Sequence, residues 1–165
     1  MLTRQRLMTS IYLHYQDQWL MLERIGSRVI HDGLYTGAAG GHFEKDELGN
    51  PAACVLRELH EETGLTEENL KNLQLRYICM RNKAGELRIN HYFFAELKTF
   101  PQRISSNEGN LVWVQEKELS SLPMPYSAKQ AINHYLAEGR NTDALYIGMK
   151  TADGMFFQAM VEDAE

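Results

Sequence analysis

The stretch that decides the fold begins with Gly40-Gly41-His42-Phe43-Glu44 and continues, after a short interval, with Arg57-Glu58-Leu59-His60-Glu61-Glu62-Thr63-Gly64-Leu65. The second segment carries three carboxylates, those of Glu58, Glu61 and Glu62. On an α-helix, at about 100° per residue, they fall within a sector of roughly 100°. Like charges at this spacing repel by a few tenths of a kcal/mol per pair. A divalent metal ion is the natural partner for such a group, and a metal held by carboxylates is suited to phosphate chemistry.

The helix that carries these carboxylates has clear end signals. Asn50 is a strong N-cap, Pro51 suits the first helical position, and Gly64 is typical of the residue that follows a helix. Acidic residues in the last turn interact unfavourably with the helix dipole. The segment therefore has two locally unfavourable features, since its carboxylates also repel one another. A charged helix face is more often simply solvated. The glycine loop before this helix favours a functional site in which Mg²⁺ is shared between carboxylates and substrate phosphates.

The rest of the chain predicts a mixture of strands and helices. Alternating or β-branched segments predict strands at 9–15, 19–25, 73–80, 86–97 and 111–114. Apolar residues at helical spacing predict a helix at 127–137. The segments 145–150 and 155–161 predict a terminal hairpin. A long loop is expected at 26–41, and long loops inside compact domains are usually functional. This order predicts an α/β sandwich in which helices cover a mixed sheet. The length of 165 residues fits one domain, 1–165, in which 138–165 is a C-terminal extension.

Composition and charge restrict the function further. The formal net charge is −5 and the linear sequence shows no basic stripe, which argues against a long nucleic acid as ligand. A small phosphorylated substrate remains compatible when metal ions offset its charge. Cys54 and Cys79 lack metal-site spacing and predict reduced, structural cysteines of a cytoplasmic protein. Polar residues at 16–18 interrupt the first apolar segment, so we expect neither a signal peptide nor a membrane span.

The segment from Gly40 to Leu65 resembles the Nudix box. That pattern is a glycine, five residues, Glu, seven residues, and then Arg-Glu-apolar-x-Glu-Glu-x-Gly-apolar. Its second half matches 57–65 at every fixed position, and Gly41 with Glu47 fits the first half. The interval from Glu47 to Arg57 is two residues longer than the pattern, and we expect the extra residues in the turn at 47–49.

The resemblance implies a fold and a reaction. The fold is a Nudix-type α/β/α sandwich with a mixed sheet and a C-terminal β-hairpin, and the Gly-Gly-His-Phe-Glu loop is closest to the bacterial MutT-like branch. The reaction is hydrolysis of a phosphoanhydride in a nucleoside diphosphate linked to a group X, for which a nucleoside triphosphate, intact or damaged, is one candidate. Hydrolases of nucleotide sugars or ADP-ribose are rivals, and so is a ligand-binding regulator that has the fold without catalysis. A homodimer is implied by the resemblance alone.

Residue roles are carried over position by position. Mg²⁺ or Mn²⁺ would be bound by Glu58, Glu61, Glu62 and the carbonyl of Gly40. Water would be activated by the metal and by a carboxylate base, for which Glu61 and Glu108 are the candidates. Arg57 would belong to the catalytic group, with Glu47 supporting it through an ion pair and Glu44 as the alternative partner.

Four further residues are candidates for substrate binding. Gly41 belongs to the loop that approaches the phosphates. Arg24 would contact phosphate, although an exposed edge charge is an equal alternative. His42 would touch phosphate or simply fill the loop. Tyr35 would stack on a base or pack within the loop. Asn90, His91 and Tyr92 are interpreted as ordinary sheet residues.

Overall fold

The computed structural model describes residues 4–25, 33–101 and 103–163. The described residues form eight strands and two α-helices. The strands are β1 (Arg4–Tyr15), β2 (Gln18–Arg24), β3 (Tyr35–Gly37), β4 (Leu70–Lys83), β5 (Glu86–Leu97), β6 (Gly109–Gln115), β7 (Tyr146–Thr151) and β8 (Gly154–Ala159); the helices are α1 (Pro51–Thr63) and α2 (Tyr126–Ala137).

The strands form one mixed sheet, in which β1 and β2 separate from each other beyond their shared turn. The order is β3-β2-β1-β5-β4-β7-β8, and β6 pairs with β2. β1 runs parallel to β5 along almost its whole length, from Arg4 opposite Glu86 to His14 opposite Glu96. On its other edge, β1 pairs with β2 only near the turn. Further back, the segment around Ala39 bridges to Ile11 and occupies that edge instead, which places the glycine loop at the opening of the sheet.

Each face of the sheet has its own core. On one side α1 contributes Val55 and Leu59 to a cluster with strand residues such as Ile11 and Phe93. On the other side α2 contributes Ala131 and Ile132 to a cluster rich in aromatic side chains. Helices therefore cover both faces, which confirms the predicted α/β/α sandwich.

The structure refines several predicted elements. β4 is longer than the predicted strand at 73–80. The expected loop at 26–41 contains the short strand β3, which pairs with β2, while 26–32 lie outside the described residues. The β4–β5 hairpin turns at Ala84 and Gly85, whose φ angles of 51° and 80° are those of a type I′ turn. The terminal hairpin extends the sheet, because β7 pairs in parallel with β4.

Neither α-helix in the described part of the chain combines the length and hydrophobicity needed to cross a bilayer.

Candidate active site

Local signals set the ends of α1 as the sequence predicted. The Asn50 side chain accepts a hydrogen bond from the Ala53 N–H at 3.1 Å, and Pro51 occupies the first turn. Gly64 follows the helix with a left-handed φ of 75° and donates its N–H to the His60 carbonyl. The helix therefore carries its acidic residues ungapped, and the extra residues of the motif lie before it, around Leu48 and Gly49.

Two glycines bring the loop against the sheet and the helix. The carbonyl of Ala39 accepts from the Ile11 N–H, and the carbonyl of Gly41 accepts from the Thr9 N–H. A Cβ on Gly40 would lie 2.3 Å from the Thr9 carbonyl oxygen, so only glycine allows this approach. A Cβ on Gly41 would lie 2.2 Å from Glu58 Oε1. The absence of side chains at 40–41 thus lets the Glu58 carboxylate rest against the loop.

Arg57 joins the parts of this site. Its Nε and Nη2 donate to the two oxygens of Glu47 at 2.6 and 3.0 Å, and its Nη1 donates to Glu58 at 2.9 Å and to Glu61 at 3.0 Å. Nη2 also donates to the His42 carbonyl at 3.1 Å. The guanidinium holds the pKa of the Glu47 carboxyl down, to about 2. This fork explains how a two-residue insertion is accommodated without moving the helix.

Of the two partners considered for Arg57, the structure shows Glu47. Glu44 instead donates its backbone N–H to Glu47 Oε2 at 2.8 Å. Glu47 is only 6% exposed, and a bidentate Arg–carboxylate pair has fixed geometry. The pair therefore fixes the turn that precedes α1 relative to the helix.

Acidic side chains from two parts of the chain meet beside the loop. Glu58 and Glu62 of α1 line a cleft of about 1350 Å³, together with Glu108 from the segment before β6. Burial, with the charges of Glu58 and Glu108, raises the pKa of Glu62 to about 8. Hydrogen bonding from Gly40 and the charge of Arg24 act in the opposite direction. The charged form of Glu62 is therefore disfavoured here, and a bound cation would favour it.

Glu61 differs from its two neighbours on α1. Its side chain is 55% exposed, it pairs with Arg57, and it is not among the residues that line the cleft. The structure thus brings Glu58, Glu62 and Glu108 to the cleft and leaves Glu61 at its outer side.

The donor set fits a hard divalent cation. Mg²⁺ and Mn²⁺ favour carboxylate and carbonyl oxygens, and Glu58, Glu62, Glu108 and the Gly40 carbonyl are all of this type. Across residues 4–25, 33–101 and 103–163, no three His, Cys, Asp or Glu side chains lie close enough to form a ready-made site. Mg²⁺ commonly keeps several waters and uses only one or two carboxylates with substrate phosphates, so the residues fit an ion completed by substrate.

Arg24, His42 and Tyr35 have different surroundings. Arg24 lines the cleft, and its Nη2 donates to Glu108 at 3.0 Å. His42 also lines the cleft; its Nε2 accepts from Arg6 Nε at 2.6 Å, and burial, followed by the charge of Arg6, lowers its pKa. Tyr35 is not a lining residue: its ring packs on the aromatic core and its hydroxyl donates to Glu23. The structure therefore favours the packed alternative for Tyr35.

Other lining residues come from the sheet and from the start of α2. Asn90 and Tyr92 are strand residues, as interpreted from the sequence, but both also line the cleft. The buried hydroxyls of Tyr12 and Ser127 line it too and have no hydrogen-bond partner in the described part of the chain. Buried polar groups normally have partners, so these are candidate substrate contacts. The strand pattern around Tyr12 and the helical pattern that begins near Ser127 gave no separate signal for these contacts.

The family model described as the NUDIX domain matches residues 5–135, which is more than half of the chain. The chain belongs to the Nudix family. No protein of curated function matches it by sequence. As a Nudix hydrolase, it acts on phosphoanhydrides, and its two α1 carboxylates at the cleft are those of the family motif.

Solved structures support this assignment. A mutator MutT protein from Bacillus halodurans is 26% identical, with a TM-score of 0.67, over 93% of this chain and 97% of that one. An Ap4A hydrolase from C. elegans is 15% identical, with a TM-score of 0.62, over 85% and 100%. A bifunctional NMN adenylyltransferase/ADP ribose pyrophosphatase from Francisella tularensis is 20% identical, with a TM-score of 0.60, over 81% and 41%. The first is a MutT-like relative; the others share the fold.

Proposed function

We propose that this Nudix hydrolase is a Mg²⁺- or Mn²⁺-dependent pyrophosphohydrolase of a nucleoside diphosphate linked to a group X, with nucleoside triphosphates, intact or damaged, as leading candidates. It would act as a single domain in the cytoplasm. One observation carries the proposal: Glu62 is partly buried and lines the cleft together with Glu58 and Glu108, where burial and like charge oppose its ionisation. A divalent cation bound there removes that cost and attracts a diphosphate.

Each residue of the site would have its own role in binding the ion and the substrate. Glu58, Glu62 and the Gly40 carbonyl would hold the ion, with Glu108 close to them in the same cleft. Such an ion polarises a phosphoryl oxygen and lowers the pKa of a bound water. Arg24 would orient the diphosphate by charge-assisted hydrogen bonds once Glu108 turns from Arg24 to the attacking water. Arg57 would act as a positioning residue, because it donates both to Glu58 and to the His42 carbonyl of the loop.

Two carboxylates remain candidates for the base that removes a proton from water. Glu108 lines the cleft, next to the cluster, whereas Glu61 is 55% exposed and bonded to Arg57. The geometry favours Glu108, since a base must reach the attacking water. Glu61 would then support the charge balance around Arg57.

The polar floor of the cleft favours recognition of a base or sugar. Ser127 and Tyr12 each present a buried hydroxyl, and Asn90 adds an amide on the same surface. A site built from fixed polar groups discriminates strongly between ligands that satisfy them and ligands that do not. This arrangement is compatible with nucleotide sugars and ADP-ribose as well as with nucleoside triphosphates.

Thermal unfolding tests the metal assignment without turnover. We expect Mg²⁺ or Mn²⁺, together with a nucleotide, to raise the Tm of the wild type, since a ligand at 100 times its Kd adds about 2.7 kcal/mol. Glu62→Gln should abolish the metal-dependent part of the shift. A nucleotide-only shift, equal in both proteins and independent of metal, would instead support the alternative of a ligand-binding regulator.

A parallel assay tests the reaction and the substrate class. Phosphate release, coupled to pyrophosphatase, would be measured with nucleoside triphosphates, 8-oxo forms, nucleotide sugars, ADP-ribose and dinucleoside polyphosphates, each with and without Mg²⁺. Metal-dependent turnover of one class identifies the substrate family. A metal-dependent Tm shift with no turnover across this panel would contradict the proposed substrates while preserving the ion site.

A further inference from the structure

Three arginines lie side by side on neighbouring strands that line the cleft. In the strand register, Arg6 of β1 is opposite Arg88 of β5, and Arg88 is opposite Arg81 of β4. All three side chains line the cleft. We call them the arginine row. Like charges directly opposite one another across strands destabilise a sheet, so a row of three breaks a local rule, as functional sites often do.

The acidic residues near the row do not neutralise it. Glu86 is opposite Arg4 in the strand register; it accepts from Arg4 at 3.1 Å and from Arg88 at 2.6 Å. Arg6 donates to a histidine nitrogen, that of His42, and not to an acid. Among the described residues, Arg81 has no ion-pair partner, and its Nε is buried without an acceptor. An excess of positive charge therefore faces the cleft of a protein whose formal net charge is −5.

The row and the acidic cluster share one continuous surface. On β1, the alternate residues Arg6, Met8, Ser10 and Tyr12 all line the cleft, so they lie on one face. The glycine loop meets β1 at Thr9, where the Gly41 carbonyl accepts its N–H. Three residues of strand separate this level from Arg6, which is about 10 Å.

The cleft is large enough to hold a ligand that reaches both ends. Its volume of about 1350 Å³ exceeds the range of roughly 300–1,000 Å³ that is typical for small-molecule sites. Guanidinium groups match the oxygens of a phosphate bidentately. Several guanidinium groups with one acid nearby favour a ligand group that carries two negative charges over a group that carries one.

We propose that the arginine row binds a second phosphoryl group of the substrate, a phosphomonoester held about 10 Å along β1 from the level at which the glycine loop meets that strand. This inference rests on the proposed function, since both groups belong to one substrate in one cleft. The substrate class is then a small nucleotide that carries a phosphate in addition to its diphosphate. Arg81, which has no ion-pair partner among the described residues, is the residue on which the extra phosphate depends most.

Binding of matched compounds tests the proposal separately from catalysis. NADP⁺ and NAD⁺, and coenzyme A and 3′-dephospho-coenzyme A, differ within each pair by one phosphomonoester. Calorimetric titration of the full chain in EDTA, at low salt, excludes turnover. We expect the phosphorylated member of at least one pair to bind about tenfold more tightly or better, which corresponds to about 1.4 kcal/mol.

Variants show whether the row causes the difference. Arg81→Gln and Arg88→Gln should each reduce the preference for the phosphorylated compound to about twofold or less, while leaving the affinity for its partner compound unchanged. Lys71→Gln removes a cation that is 51% exposed and is not among the cleft-lining residues, so it should keep the full preference. Because Arg81 has no ion pair to lose, its variant should fold normally, which thermal unfolding checks.

Four outcomes are distinguishable. Equal binding within both pairs, or a preference that survives in Arg81→Gln, would overturn the proposal. Tighter binding of a short 5′-phosphorylated RNA than of either phosphorylated compound would overturn the assignment to small nucleotides. A row-dependent preference without Mg²⁺-dependent turnover would support the phosphate site and contradict the proposed reaction. The same preference in kcat/KM with Mg²⁺ would support both.

Discussion

The two ends of the cleft are built in contrasting ways. The acidic end comes mainly from one continuous stretch, the glycine loop at 40–41 and the helix α1, in which neighbours in sequence become neighbours in space. The arginine row comes from three strands, and its members meet only because β1 pairs in parallel with β5 and β5 pairs with β4. The comparison teaches that a local motif reveals the chemistry of this protein, whereas what the cleft selects depends on non-local pairing.

The largest expected effect belongs to the acidic end. Glu62→Gln should lower kcat with Mg²⁺ by at least about a hundredfold, because it removes a ligand of an ion that supplies several kcal/mol to the reaction. Steady-state phosphate release measures this. Glu61→Gln is the matched control on the same helix, and we expect a clearly smaller loss, since Glu61 is outside the cleft lining. Equal losses would show that the exposed position of Glu61 changes when substrate binds.

The next largest effect is expected from a variant that tests the close contact between the glycine loop and α1. Gly41→Ala should reduce kcat/KM by about tenfold or more, because its Cβ would lie 2.2 Å from Glu58 Oε1 and would displace that carboxylate. Near-attack geometry is sensitive to shifts of about 1 Å, which can cost about 100-fold. Gly41→Ser should be at least as damaging. Normal activity of either variant, with an unchanged Tm, would contradict the view that Glu58 rests on the loop.

Removing a hydroxyl from the polar floor of the cleft should change both the stability of the protein and its binding of substrate. Ser127→Ala removes a buried hydroxyl that has no hydrogen-bond partner within residues 4–25, 33–101 and 103–163. We expect the ligand-free protein to gain up to about 1 kcal/mol, since an unsatisfied buried polar group is costly. KM should rise several-fold if the hydroxyl contacts substrate. Urea unfolding and steady-state kinetics measure the two effects, and Ser120→Ala, at an exposed site, should change neither.

The smallest effect concerns the support of the acidic end. The folded pKa of Glu47, at about 2, lies below its ordinary 4.5, so its ion pair stabilises the protein above the unfolded pKa and is lost as pH falls through the folded one. The pair is near the surface and partly screened, so we expect Glu47→Gln to cost about 1–2 kcal/mol at pH 7. Urea unfolding should show this difference shrinking between about pH 4.5 and pH 2. A gap that stays constant with pH would show that packing, and not the charge, explains the loss.

The sequence predicted the helix α1 well because its signals are local. Asn50, Pro51 and Gly64 fix the ends of α1 through backbone hydrogen bonds within a few residues, and the faces of a helix follow from its periodicity. The mixed sheet between helices also followed from the order of elements. The short strand β3 did not, since three residues that pair with β2 give little periodicity.

The rest of the cleft could not be predicted in the same way. The linear sequence shows no basic stripe, yet the register places Arg6 opposite Arg88 and Arg88 opposite Arg81. Register depends on contacts between residues far apart in the chain, so the composition of one strand does not determine it. Tyr35 illustrates the reverse case, because a loop aromatic with the chemistry for stacking has its hydroxyl bonded to Glu23 on the neighbouring strand.

The separation of charge in the cleft has a consequence for the rate at which a ligand arrives. Acidic residues at one end and arginines at the other produce an electric field along the cleft, and such fields steer charged ligands during diffusion. An approaching polyanion would be turned before contact, so that its free phosphate leads toward the arginines and its metal-bound diphosphate trails toward the acids. Encounters would then begin in the productive orientation, and added salt would slow association more than it would speed dissociation.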